Sequence, residues 1–240
     1  MIKSQLISSL KSEKFPDKIV CAFVKVPREK FLPKNLNHFA YEDTALPLEK
    51  GATISQPYTI AFMLKLLKLK PKQKVLEIGS GCGYVLALLE EITLGEIYGV
   101  EIIKSLAEKS KQILKELNYP APFSSLRTLQ RRSRFQNNYL GKDIKQKGHI
   151  EVFAKNGSNG LLSKAPFDRI LISAEAPSIP EHLYSQLKEN GILVTPYRNS
   201  ILQITKNKDN IKIKEFSGFV FVPLITNVQQ PISLKTKQPP

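Results

Sequence analysis

Lys74-Val75-Leu76-Glu77-Ile78-Gly79-Ser80-Gly81-Cys82-Gly83-Tyr84 is the stretch whose reading decides the fold. Val75 to Ile78 is a short apolar run, as expected of a buried strand. It runs into three glycines spaced one residue apart, and Val85 to Ile92 then reads as a helix. Strand, glycine turn and helix form the first unit of a nucleotide-binding α/β sheet, where glycine lets the backbone approach a ligand closely. A second apolar run, Ile97 to Val100, ends in Glu101. An acid at the tip of the second strand is placed to accept hydrogen bonds from ribose hydroxyls.

The glycine spacing narrows the ligand. A dinucleotide fingerprint needs G-x-G-x-x-G, whose third glycine lets the helix pack closely under a pyrophosphate. Here the pattern is G-x-G-x-G, and Tyr84 stands where that third glycine would be. This disfavours NAD and FAD. The stretch resembles the first motif of the S-adenosyl-L-methionine (AdoMet) methyltransferases, whose ligand has no pyrophosphate.

Outward from this centre the chain reads as alternating elements. Apolar residues at Ile2, Leu6, Ile7 and Leu10 have a helical period. Pro16 ends that helix, and Ile19 to Val24 is a second. Residues 26–48 are rich in proline and of mixed polarity, an irregular but ordered segment. Pro57 suits the first turn of a helix, with Ser55 near its cap. Ile60 to Leu69, interrupted by Lys65 and Lys68, suits an amphipathic helix. Leu106 to Leu117 is another. Phe167 to Ile172 is a strand, and Pro180 to Leu187 a helix closed by Gly191 at a C-cap. Ile192 to Thr195, Ile201 to Thr205 and Ile211 to Glu215 are strands. The fold class is therefore α/β: a doubly wound, mostly parallel sheet with helices on both faces, an N-terminal helical cap and C-terminal antiparallel strands.

A more specific resemblance lies upstream and downstream of the glycines. Val26-Pro27-Arg28-x-x-Phe31, Ala40-Tyr41-x-Asp43 and Thr53-Ile54-Ser55-Gln56-Pro57-Tyr58 precede them. Ala165-Pro166-Phe167-Asp168-Arg169-Ile170, Ile179-Pro180, Leu187-Lys188-x-x-Gly191 and Phe221-Val222-Pro223-Leu224 follow. In this order, from about Val26 to Leu224, they resemble the protein-L-isoaspartate O-methyltransferases.

The resemblance implies a carboxyl methyltransferase that uses AdoMet and acts on isoaspartyl residues of damaged proteins and peptides. The ester product would collapse to a succinimide. It implies that Ser55 is the active-site residue, its hydroxyl orienting the substrate carboxylate, and that Thr53 and Ile54 line the same wall through backbone groups. It implies that Glu77 helps hold the methionyl ammonium, that Gly79, Gly81 and Gly83 make room for the methionyl portion, and that Glu101 takes the ribose. The family's Gly-Asp-Gly falls on Lys155-Asn156-Gly157. Asn156 and Gly157 are the matching cofactor-binding residues, although the amide oxygen of Asn156 is a weaker, uncharged acceptor for the adenine amine. Pro196-Tyr197-Arg198 is a second departure, since the family commonly has proline, valine and glycine there.

An acceptor carboxylate is already ionised at neutral pH, so no strong general base is required. Positioning and desolvation are left as the main sources of rate. His38, His149 and His182 sit in ordinary contexts, and no metal cluster is evident.

Composition sets outer limits. The chain has 240 residues, 42% of them hydrophobic, enough for one α/β domain with a normal core. Residues 1–60 read as a helical, substrate-side segment. Residues 61–225 read as the AdoMet-binding core, with a basic insertion at about 120–149, and 226–240 as a loose tail. The two cysteines, Cys21 and Cys82, imply no disulfide framework and fit a reducing cytoplasm. Met1 to Phe15 carries lysines and no secretory core, and no run approaches the ~18 apolar residues of a membrane span. A cytoplasmic monomer is expected.

The net charge of +15 is mostly dispersed lysine. The exception is the insertion, with Arg127, Arg131, Arg132, Arg134, Lys142, Lys145 and Lys147 against Asp143 alone. A solvated surface insertion is one reading. A contact with nucleic acid or an acidic partner, with Phe135 and Tyr139 available for stacking, is another. Two further functional readings remain open: an AdoMet-dependent methyltransferase acting on RNA or another acceptor, and a catalytically impaired binding protein of the same fold.

Overall fold

The computed structural model describes residues 1–119, 121, 148–174, 178–208 and 210–219. The basic insertion, the Phe221-Val222-Pro223-Leu224 match and the C-terminal tail lie outside the described residues, apart from Tyr119, Ala121 and residues 148–149 at the ends of the insertion.

Helices α1 (Lys3–Ser12) and α2 (Asp17–Lys25) open the chain. The first ends four residues before Pro16, which instead stands at the N-cap of the second. Two short 3-10 turns, Arg28–Phe31 and Lys34–Phe39, lead to a small hairpin of β1 (Leu46–Pro47) and β2 (Thr53–Ile54). Helix α3 (Pro57–Leu66) follows, with proline in its first turn as expected. Then come β3 (Lys74–Ile78), α4 (Tyr84–Thr93), β4 (Glu96–Glu101) and α5 (Lys104–Glu116), the strand–turn–helix succession anticipated from the glycine stretch. Beyond the insertion run β5 (His149–Ala154), β6 (Phe167–Ile172), β7 (Leu187–Tyr197), β8 (Ser200–Asn207) and β9 (Asn210–Ser217).

The large sheet has the order β5-β4-β3-β6-β7-β8-β9. β5 through β7 are parallel, and β8 and β9 complete the sheet antiparallel. From β3 the chain first moves outward to β4 and β5, then crosses to β6 on the other side. The carboxyl ends of β3 and β6 thus form the point where strand order reverses, the usual crevice for a ligand in such sheets.

Alternation along the strands splits the core in two. Val75, Ile97, Ile150 and Leu171 face a layer built from all five described α-helices. Leu76, Ile78, Tyr98, Ile170 and Ile172 face the opposite layer, with Leu161, Leu183 and Leu187. Among the described residues that second layer is covered by 3-10 turns, Leu162–Lys164 and Glu181–Gln186, not by the helix expected over Pro180 to Leu187. Only six residues separate Pro180 from β7, which begins at Leu187. Gly191 caps no helix either. It lies inside β7, where the pairing advances from Phe167↔Leu187 to Arg169↔Ile192, and the left-handed residue at this irregularity is Asn190 (φ 60°). No helix among the described residues is long and apolar enough to cross a membrane.

Candidate active site

An open pocket sits at the β3/β6 switch point. Thr53, Ile54 and Ser55 form one wall, Glu77 with the Gly79–Cys82 turn forms the floor, and Leu171 and Ser173 close the β6 side. Ile60, Met63, Tyr84 and Val85 supply apolar lining.

The floor is shaped by backbone conformation. Gly79 and Gly81 have φ of 76° and 52°, a region that L side chains rarely adopt, so the turn can fold under a ligand. The N–H groups of Gly79 and Ser80 both donate to Val100 O, at 2.8 and 3.2 Å, which fastens the turn to β4. Gly83 is at the N-cap of α4 and outside the pocket lining. A Cβ there would lie 3.0 Å from Ser110 Cβ of α5, so its small size serves helix packing.

Glu101 is buried and holds the turn from beneath. Its Oε2 accepts from Gly81 N at 2.8 Å and its Oε1 from Ile103 N at 2.9 Å. Each carboxylate oxygen keeps a second acceptor site. Asn156 and Gly157 are on the loop after β5, also outside the pocket lining. Asn156 is exposed, and its Oδ1 accepts from Ser158 N at 2.8 Å. Gly157 is buried, and a Cβ there would meet Ile78 Cγ2 at 2.9 Å and Val100 Cγ1 at 3.0 Å.

Glu77 dominates the electrostatics. Its side chain is 1% exposed. Its Oε1 accepts from Ser173 Oγ at 2.6 Å, while Oε2 is buried with no hydrogen-bond partner among the described residues. Burial pushes its pKa up to about 8, the Ser173 hydrogen bond opposes that rise, and the neighbouring Glu101 charge adds to it. An unpartnered buried carboxylate oxygen is costly, and a cationic hydrogen-bond donor in the pocket would relieve it. Ser80 Oγ, on the same floor, is also buried with no partner among the described residues. Burial raises the Cys82 thiol to about 11, so it is neutral at pH 7 and not a nucleophile.

The opposite wall is held from behind. Arg28, fully buried in the 3-10 turn Arg28–Phe31, donates from Nη2 to Ser55 O at 2.9 Å. Its guanidinium lies 5.2 Å from the Tyr84 ring centroid, a cation–π contact. Desolvation lowers its pKa from the ordinary value. Ser55 does not cap α3. The N-cap is Gln56, and Asp43 does the capping across 15 residues: Oδ1 accepts from Tyr58 N at 2.8 Å and Oδ2 from Gln56 Nε2 at 3.0 Å. Ser55 Oγ makes no hydrogen bond to another described residue, and Ser55 lines the pocket. None of the three histidines lines it.

The arrangement suits a small polar ligand laid along the glycine turn, with a second reactant approaching past Ser55. Across residues 1–229 the sequence matches the model of the protein-L-isoaspartate(D-aspartate) O-methyltransferase family. The chain belongs to this family. It is 37% identical over 230 residues to a protein-L-isoaspartate O-methyltransferase of Methanothrix thermoacetophila, covering 94% of this chain and 95% of the relative. The Cytophaga hutchinsonii protein of the same name is 38% identical over 230 residues, covering 93% and 90%. Among solved structures, a candidate protein-L-isoaspartate O-methyltransferase of Plasmodium falciparum, in complex with S-adenosyl-L-homocysteine, superposes with a TM-score of 0.71 at 24% identity. It covers 94% of this chain and 98% of that one, and the likeness bears on the fold.

Of the residues anticipated from the family motifs, the fold brings Thr53, Ile54, Ser55, Glu77, Gly79 and Gly81 together around one pocket. Gly83, Glu101, Asn156 and Gly157 stand behind or beside it. Three contributors were missed by sequence reasoning: Ser173, Arg28 and Asp43. The first pairs with a residue 96 positions away. The other two sit in the quoted family motifs, but nothing local shows what they hold.

Proposed function

We propose that the protein is an AdoMet-dependent carboxyl methyltransferase that methylates L-isoaspartyl residues in damaged proteins and peptides, the ester then collapsing to a succinimide. One observation carries the reading: a buried, half-partnered Glu77 carboxyl and a Ser55 hydroxyl with no partner among the described residues belong to residues lining one pocket. The donor set fits AdoMet. Glu77 Oε2 is suited to the methionyl ammonium, and the open Gly79–Gly81 backbone to the methionyl chain. Thr53 and Ile54 provide the backbone wall, Glu101 the ribose acceptor beside the turn, and Asn156 with Gly157 the adenine end. Gly83 acts from behind, by letting α5 approach.

When bound, AdoMet supplies an already electrophilic methyl group. The protein's work is to hold the acceptor carboxylate in line and shed its water. Ser55 Oγ donates to one carboxylate oxygen and leaves the other free to react. Arg28 keeps the Ser55 peptide fixed through its carbonyl. No proton has to be removed from the acceptor at pH 7. Residues 1–60 form the substrate side, and 61–225 the cofactor core. Cys21 and Cys82 are both unpaired, which agrees with a reducing cytoplasm, and a monomer is sufficient for the site. Labelled AdoMet incubated with an isoaspartyl peptide and its aspartyl twin tests the proposal. Base-labile label is expected on the first alone; cofactor binding without transfer, or label on RNA instead, would overturn it.

A further inference from the structure

Glu77 and Ser173 come together through the register of two parallel strands. Glu77 pairs with Leu171, so their side chains emerge on the same face of the sheet, and Ser173 lies two residues further along that face. Ser173 N donates to Ile78 O at 2.9 Å, extending the ladder one step beyond β6 and fixing the Ser173 backbone. Its Oγ therefore meets Glu77 Oε1 at 2.6 Å as a consequence of register. Both residues line the pocket.

A carboxylate has two equivalent oxygens and a soft terminal torsion. No other hydrogen bond to the Glu77 carboxyl from a described residue is present, and Oε2 is buried and unpartnered among the described residues. Ser173 alone breaks the equivalence. We infer that Ser173 is a positioning residue, which engages one oxygen of Glu77 so that the other is presented to the pocket, making the site selective for ligands with a cationic amine at the methionine end. This inference rests on the AdoMet reading of the pocket, although not on the identity of the methyl acceptor. The Ser173 hydrogen bond also favours the ionised form of Glu77 against burial, the form that a cationic amine needs. Alanine at 173 would leave both oxygens buried without a donor. The carboxyl would then retain its proton more firmly and could turn away.

The test compares two ligands in calorimetry: S-adenosyl-L-homocysteine, and 5′-methylthioadenosine, which keeps the nucleoside and thioether but has no amino-acid end. One hydrogen bond to a charged group corresponds to roughly 10- to 100-fold in affinity. Ser173→Ala is expected to weaken S-adenosyl-L-homocysteine by at least about tenfold and to leave 5′-methylthioadenosine within about twofold of the wild type. Ser173→Thr, which keeps the hydroxyl, should restore the difference. Ser173→Cys, of similar size with a weak donor, should behave like alanine and serves if the alanine variant does not fold. Equal weakening of both ligands would reduce Ser173 to pocket shape and overturn the inference, as would an unchanged affinity for S-adenosyl-L-homocysteine. If the ligand discrimination holds while the wild type fails to methylate an isoaspartyl peptide, the acceptor assignment falls and the Ser173 inference stands.

Discussion

Titrating the affinity for S-adenosyl-L-homocysteine between pH 6 and pH 7 probes Glu77 without altering the protein. The carboxyl has a pKa of about 8 in the unliganded chain because burial penalises its charge. It is therefore mostly protonated below that pH, and pairing it with the ligand's ammonium requires it to lose a proton. The ionised fraction is about 1% at pH 6 and about 9% at pH 7, while an α-ammonium remains largely charged across that window. Affinity should rise roughly eight- to ninefold over this single unit, with close to one proton released per ligand bound. Above about pH 8 the gain should level off, since Glu77 is half ionised there and the amine begins to lose its charge. Calorimetry in buffers of different ionisation enthalpy measures the released proton directly. Glu77→Gln should bind more weakly and lose the slope. A wild-type affinity flat from pH 6 to 7, with no proton release, would refute the assignment of Glu77 as the ammonium partner. In the unliganded protein the same shift costs stability as pH rises from the usual carboxylate range towards 8, so the thermal stabilisation given by ligand should grow with pH.

Other perturbations read other parts of the site. Ser55→Ala should lower kcat by roughly 10- to 100-fold, the equivalent of one charge-assisted hydrogen bond, with S-adenosyl-L-homocysteine affinity unchanged within about twofold; steady-state kinetics beside calorimetry separates the two. Gly157→Ala places a methyl within 3.0 Å of Ile78 and Val100 and should cost about 1–3 kcal/mol, seen as a lower midpoint in urea. Arg28→Ala removes a fully buried side chain and leaves Ser55 O without its donor. It should destabilise the chain by about 3 kcal/mol, and a change below about 0.5 kcal/mol would show that the buried guanidinium does not hold the wall.

The central unit was legible because its signals are local. Val75–Ile78 and Ile97–Val100 are apolar runs of strand length, and the glycines between strand and helix have few other uses. Strand β6 was likewise read at Phe167–Ile172, its observed bounds. What escaped depends on pairs distant in the chain. Asp43 caps α3 from 15 residues upstream of Tyr58, whereas the residues at the helix start alone point to Ser55 near the cap. Ser173 acquires its partner only once β3 and β6 are in register. At Glu181–Gln186 an apolar period over six residues fits a helix or a 3-10 turn equally, and strand β7 begins at once. Glu101 was assigned to the ribose from its place at a strand tip, whereas its two oxygens are also the acceptors that brace Gly81 and Ile103. That second duty depends on how the turn folds back, which composition does not encode.

The central claim is that one pocket places the cofactor's ammonium on Glu77 and the acceptor's carboxylate on Ser55. A crystal structure of the protein with S-adenosyl-L-homocysteine and an isoaspartyl peptide measures both contacts at once. The account predicts the ammonium within about 3 Å of Glu77 Oε2 and a peptide carboxylate oxygen within about 3 Å of Ser55 Oγ. An ammonium seated away from Glu77, or a peptide carboxylate held on the far side of the pocket from Ser55, would contradict it.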